Sequence, residues 1–197
     1  MKIIFATGNK GKLREAKEIL GDGFEILSPA DFGITEDIEE TGETLRENSI
    51  IKARFIYEKT GCNCFADDTG LMVDALGGAP GVHSARYATE GHDFEANITK
   101  LLSELDRVGA ASPEQRRARF MSVVTLIVDG EMHFFEGRLE GRIASARAGV
   151  NGFGYDPVFI ADEFPDKTVA ECPEGTKNDI SHRGKALRAM AGWLKGR

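Results

Sequence analysis

The chain has 197 residues, 41% of them hydrophobic and 29% charged, with a net charge of −7. That balance describes a single soluble globular domain spanning residues 1–197; the negative charge argues against extended nucleic-acid binding. No apolar run approaches membrane length, the N-terminal one is too short for a signal peptide, and three cysteines do not make a disulfide framework, so a cytoplasmic protein without a membrane partner is expected.

The first predicted element is a strand over residues 2–6, which enters the loop Thr7-Gly8-Asn9-Lys10-Gly11-Lys12. A helix follows at once, with Leu13, Ala16, Ile19 and Leu20 on one stripe. Strand, small-residue turn and helix start present backbone N–H groups and a positive helix end to an anion. Lys10 and Lys12 add cations suited to phosphate oxygens. Two better-known phosphate loops do not fit: only two residues separate Gly8 from Gly11, Leu13 follows Lys12, and the dinucleotide fingerprint is absent.

A short strand is predicted over 24–27, then an acidic stretch holding Glu39 and Glu40 before Gly42. A helix over 44–59 carries Leu45, Ile50, Ala53 and Ile56 on its apolar stripe and holds Lys52 within its length, and Gly61 stops it. Extended segments at 65–66 and 70–73 flank Asp67-Asp68-Thr69. Gly77-Gly78-Ala79-Pro80-Gly81 reads as a multi-turn loop, and a helix over 93–105 follows. Residues 122–128 and 132–136, joined by Asp129-Gly130, form a hairpin signal, with extended pattern continuing to 146. The last helix covers 181–194, with Ser181 as its expected N-cap. The elements predict an α/β fold: a mixed sheet with flanking helices, in two lobes with a cleft between them.

Chemistry concentrates in a few places. Adjacent strand residues point to opposite faces, so Asp67 and Asp68 divide into one functional and one structural carboxylate. Hard oxygen donors beside phosphate point to Mg²⁺. Cys62-x-Cys64 lacks zinc-knuckle spacing and its alternation suits a strand with buried thiols. His182 and Arg183 put positive charge in the first turn of a helix, against its dipole, which points to a ligand role. Phe153-Gly154-Tyr155-Asp156 has the composition of a base-stacking platform.

These runs, with Glu39-Glu40-Thr41-Gly42, Glu47-Asn48 to Lys52-Ala53, Ala66-Asp67-Asp68-Thr69-Gly70-Leu71, Gly77-Gly78-Ala79-Pro80-Gly81 and Ser181-His182-Arg183, appear in one order from end to end of the chain. In them the sequence resembles the inosine triphosphate pyrophosphatases, Thr69 standing where many members have serine. The resemblance implies an elongated two-lobed α/β fold with a central nucleotide-binding cleft, a homodimer, and Mg²⁺-dependent hydrolysis of ITP, dITP or XTP to monophosphate and pyrophosphate. It implies that Thr7, Gly8, Asn9, Lys10, Gly11, Lys12 and Lys52 hold the triphosphate, with Thr69 also on substrate. It implies Glu39 and Asp68 as metal ligands and Asp68 as the base for water. It implies Phe153, Gly154, Tyr155, Asp156, Lys177, His182 and Arg183 at base and sugar. A donor facing the 6-keto oxygen would be left unpaired by adenine, which costs orders of magnitude in rate. A hydrolase of modified or pyrimidine triphosphates, and a nucleotide-binding module without turnover, are the competing readings.

Overall fold

A computed structural model describes residues 1–173 and 180–197. In chain order the elements are β1 (Lys2–Phe5), α1 (Lys10–Leu20), β2 (Glu25–Leu27), α2 (Leu45–Thr60), β3 (Cys64–Val73), β4 (Pro80–Gly81), α3 (Phe94–Arg107), β5 (Arg117–Val128), β6 (Glu131–Ile143), β7 (Phe159–Ala161) and α4 (His182–Lys195). The strands form one mixed sheet in the order β2-β1-β3-β5-β6-β7, with β4 beside β3. Pairing is parallel for β1 with β2 and β3, and antiparallel for β3 with β4 and β6 with β7. The fold is thus α/β with a mixed sheet and flanking helices. No helix among the described residues is long and apolar enough to cross a membrane.

The chain divides into two compact units, Met1–Asp68 with Ser122–Gly137 and His182–Arg197, and Thr69–Met121 with Arg138–Ser181. In the first, α1 links β1 to β2 and α2 links β2 to β3, so β1 lies between two parallel neighbours reached in opposite directions. Alternation along the strands sorts the core. Ile3, Phe5, Phe65, Val124, Leu126 and Val128 pack with Ala16 and Leu20 of α1 and Ala186, Leu187 and Met190 of α4. Ile4, Ala6, Cys64, Ala66 and Ile127 pack with Ala53 and Ile56 of α2. Phe5 and Phe65, paired across β1 and β3, stack with ring centroids 4.4 Å apart.

The second unit has its own core: Leu71, Val73, Ile98, Leu101, Leu105, Phe120, Leu139, Tyr155 and Phe159 are among its members. Its helix α3 is capped by Asp93, whose side chain accepts from the Ala96 N–H.

Helix starts are set by side chains the sequence carries. Thr44 and Glu47 form a reciprocal capping box at α2, and Gly61 closes that helix at φ 64°. Asp129 and Gly130 both take positive φ, 52° and 84°, the conformation a two-residue hairpin turn requires. Two expectations shift. The segments flanking Asp67-Asp68-Thr69 are one continuous strand, because both aspartates are buried and paired with cations rather than solvated in a turn. The last helix begins at His182, with Ser181 buried just before it.

Candidate active site

The loop after β1 is organised by Asn9. Its Oδ1 accepts from the Gly11 N–H at 2.8 Å and the Lys12 N–H at 3.1 Å, while Thr7 Oγ1 accepts from the Asn9 N–H at 3.1 Å. Two leading amides of α1 that the sequence reading offered to an anion are therefore already satisfied. Asn9 is thus the N-cap of α1. Gly8 and Lys10 remain exposed.

Lys12 turns inward. Its Nζ donates to Asp67 Oδ1 at 3.0 Å. Asp67 shares strand parity with Phe65, so its carboxylate meets the helices on the α1 and α4 side, and Arg183 Nε of α4 donates to its other oxygen at 2.9 Å. The Arg183 guanidinium also donates through Nη1 to Glu15 of α1. Burial alone would raise the Asp67 pKa, but the charges of Lys12, Arg183 and Lys52 outweigh it and hold the carboxyl well below its ordinary range. Arg183 is held above its ordinary value because Asp67 and Glu15 outweigh desolvation.

Asp68 shares parity with Cys64 and Ala66 and meets α2 instead. Lys52 Nζ donates to Asp68 Oδ1 at 3.1 Å and to Glu40 Oε1 at 2.7 Å. Burial raises the Asp68 pKa above the usual carboxylate value, Lys52 opposing this and Glu40 adding to it. Lys52 moves upward in turn: desolvation lowers it, and Asp68, Asp67 and Glu40 together prevail. The second oxygen of Asp68, Oδ2, is buried and has no hydrogen-bond partner among the described residues.

The acidic segment before α2 is tied to that helix. Asn48 Oδ1 accepts from the Gly42 N–H at 2.8 Å, and Glu47 accepts from the N–H groups of Glu43 and Thr44. A β-carbon on Gly42 would lie 2.6 Å from Glu47 Cβ and 2.9 Å from the Asn48 nitrogen. Sequence reasoning named Glu39, which is exposed. The carboxylate joined to Asp68 through Lys52 belongs to Glu40.

Among the described residues no group of three His, Cys, Asp or Glu side chains is assembled to hold a metal. Mg²⁺ takes one or two protein carboxylates and completes its shell with phosphate oxygens and water. A buried carboxylate oxygen without a partner, Asp68 Oδ2, is a donor of the required hardness.

Arg183 and His182 are buried at the start of α4. That placement depends on Gly137 of β6, where a β-carbon would lie 2.0 Å from the His182 carbonyl oxygen. Lys177 lies outside the described residues. In the second unit, Thr69 is half-buried and follows Asp68 along β3. Phe153 is 43% exposed and rests against Phe94 with centroids 6.3 Å apart. Tyr155 is no platform residue but a core one: its ring is buried and its hydroxyl donates to the Ser84 carbonyl at 2.8 Å. Asp156 Oδ2 accepts from the Phe153 N–H at 2.9 Å, and Gly154, at φ 64°, supplies the turn.

Glu15 and Gly137 were not singled out from the sequence, while Glu40, Gly42 and Asn48 stood in the quoted runs without a role of their own. Glu15 left a signal there, an acid three positions after Lys12 beside the apolar stripe of α1.

A family model described as the Ham1 family matches residues 3–193. The dITP/XTP pyrophosphatase of Porphyromonas gingivalis is 50% identical over 193 residues, covering 98% of this chain and 97% of that protein. The dITP/XTP pyrophosphatase of Bacillus subtilis is 47% identical over 194 residues, covering 98% and 96%. Among solved structures, a HAM1 protein from Coxiella burnetii superposes with a TM-score of 0.91 at 38% identity, over all of both chains.

Proposed function

The chain belongs to the Ham1 family, and from that premise we propose that it hydrolyses non-standard purine nucleoside triphosphates (dITP, XTP and ITP) to the monophosphate and pyrophosphate. We place it in the cytoplasm as a homodimer that uses Mg²⁺. The observation that carries the reading is Asp68: a buried carboxylate on Lys52, with its second oxygen unpaired, one residue beyond the Asp67 that anchors Lys12.

The topology supports it. Asp67 and Asp68 follow the last β1-paired residues of β3, and the Thr7–Lys12 loop leaves the carboxyl end of β1 where the strand order reverses. Open α/β sheets bind ligands at that position. The chain's own residues divide the work. Lys10, Lys12 and Lys52, with the Gly8 and Lys10 backbone, meet the triphosphate and its developing negative charge. Asp68, with its second oxygen unpaired, takes the proton of the attacking water. Asp68 and Glu39, with Glu40 beside them, would hold Mg²⁺, which supplies Lewis-acid neutralisation of phosphate charge. Arg183, fixed by Asp67 and Glu15, and His182 are assigned to the base; in the second unit, taken by itself, Phe153 presents an exposed ring of the kind that stacks on purines.

Incubation with ITP and Mg²⁺ should yield IMP and pyrophosphate; IDP and orthophosphate would refute the chemistry. A panel of triphosphates ranked by kcat/KM should place ITP, dITP and XTP far above ATP and the pyrimidine nucleotides. Binding of ITP without any product would leave only a nucleotide-binding module.

A further inference from the structure

Lys52 of α2 stands between two acids. Its ammonium joins two carboxylates, Glu40 Oε1 at 2.7 Å and Asp68 Oδ1 at 3.1 Å, with only 9% of its side chain exposed. A buried carboxylate with a second, more exposed acid beside it calls for a cation between them. In this chain an internal one serves, on one oxygen of each of two carboxylates that a divalent ion would also seek. Asn48, one turn before Lys52 on α2, fixes the backbone at Gly42, so the segment carrying Glu40 is bound to the same helix as the ammonium it meets.

Resting on the proposed function, we infer that Lys52 is a built-in counter-ion that competes with the divalent cation for Asp68 and Glu40. The metal gains these carboxylates fully only when the phosphates of a substrate draw the ammonium away. Metal and triphosphate then favour each other's binding, since coupling between two ligands is reciprocal. Metal alone binds weakly, and the site stays neutralised between turnovers.

Mn²⁺ alone, without nucleotide, is the probe. By calorimetric titration, Lys52→Met should bind Mn²⁺ about tenfold or more tightly than the unaltered protein, because a positive charge in direct contact with the ligands is gone. Equal or weaker binding overturns the inference. A second measurement needs no substitution: with a limiting amine-acylating reagent and peptide mass spectrometry, Mn²⁺ should increase modification of Lys52 relative to exposed Lys2. Unchanged or reduced modification overturns it, whether or not the variant folds. Pyrophosphate release from ITP, measured on the same unaltered preparation, is a separate readout. Its absence overturns the hydrolase reading and leaves the Mn²⁺ results to decide the role of Lys52.

Discussion

Asp67 and Asp68, consecutive on β3, hold two different lysines from two different helices: Lys12 of α1 at 3.0 Å and Lys52 of α2 at 3.1 Å. The two-residue period of a strand sends them to opposite faces of the sheet, where α1 and α4 pack on one side and α2 on the other. The first face adds Arg183 and Glu15, completing a buried network with both Asp67 oxygens engaged. The second face leaves Asp68 Oδ2 without a partner among the described residues. One aspartate is thus saturated and the other is not.

The two should respond differently to the same change. Asp68→Asn keeps the shape of the side chain, and the protein should fold with a Tm within a few degrees of the parent while pyrophosphate release falls by about three orders of magnitude or more. Asp67→Asn removes the charge that Arg183 and Lys12 share, and breaking a buried pair this way costs about 3–5 kcal/mol. Denaturant unfolding and a product assay on both variants separate the roles. Turnover retained by Asp68→Asn would remove Asp68 as base and metal ligand.

The Asp67 contribution also has a pH signature. Its folded pKa is depressed, so the stabilisation is present above the unfolded value of about 3.9 and is lost as pH falls through the lower folded value. The stability gap between the parent and Asp67→Asn should therefore be full at about pH 6 and should shrink steadily below about pH 4. Urea unfolding at a series of acid pH values reads this directly. A gap independent of pH would mean that the carboxylate charge contributes nothing.

Much of this was legible in the sequence because it rests on local rules. The strand–loop–helix start, the Gly61 stop of α2 and the Asp129-Gly130 turn each follow from residues within a few positions of one another. The split between Asp67 and Asp68 followed from strand alternation alone. The occupants of each side did not, because they come from distant segments: Arg183 reaches Asp67 across 116 positions, and Glu15 reaches Arg183 across 168. Glu39 and Glu40 are indistinguishable by composition, and only the path of the backbone clamped by Asn48 selects Glu40 for Lys52. Tyr155 misled for a related reason. An aromatic in a glycine-bounded loop reads as exposed, yet the hydroxyl finds the Ser84 carbonyl and the ring fills the core of its unit.

The cysteines offer a check on the core of the first unit. Cys64 is fully buried on β3, and burial, aided by the nearby Cys62, pushes its thiol up to about 12. Thiolate is the reactive form, so Cys64 should resist alkylation at about pH 8 for as long as the fold holds. Cys172 is buried in the second unit and Cys62 is partly exposed. Native-state labelling with iodoacetamide followed by mass spectrometry should modify Cys62 first, with Cys64 and Cys172 reacting only after denaturant is added. Early reaction at Cys64 would contradict its packing between β1 and α2.

Chelation separates a metal-dependent enzyme from a purely ionic site. Lys12 and Lys52 are both engaged by carboxylates, so part of their charge is already offset before a phosphate meets them, and a metal ion is needed beside them. EDTA should suppress product formation by at least about two orders of magnitude, and Mg²⁺ in excess should restore it. Since Asp67 and Glu15 are balanced by Arg183 and Lys12 without metal, the Tm should hardly change on chelation. A large fall in Tm would instead assign the ion a structural role.

Gly137 tests whether the placement of Arg183 matters as much as its charge. On β6 it faces the first turn of α4, where an added β-carbon would stand 2.0 Å from the His182 carbonyl oxygen and 2.7 Å from the Ala186 nitrogen. Both contacts are with backbone, which cannot swing aside as a flexible side chain would. Gly137→Ala must therefore push the start of α4 off the sheet and carry His182 and Arg183 with it. Overpacking of this kind costs about 1–3 kcal/mol, and the ion pairs from Arg183 to Asp67 and Glu15 would loosen in addition. If those residues recognise the base, kcat/KM for ITP should fall more than the loss of folded protein explains, and discrimination against ATP should narrow. A variant that loses stability yet keeps its full preference for ITP would show that α4 fastens the fold and leaves base selection to other residues.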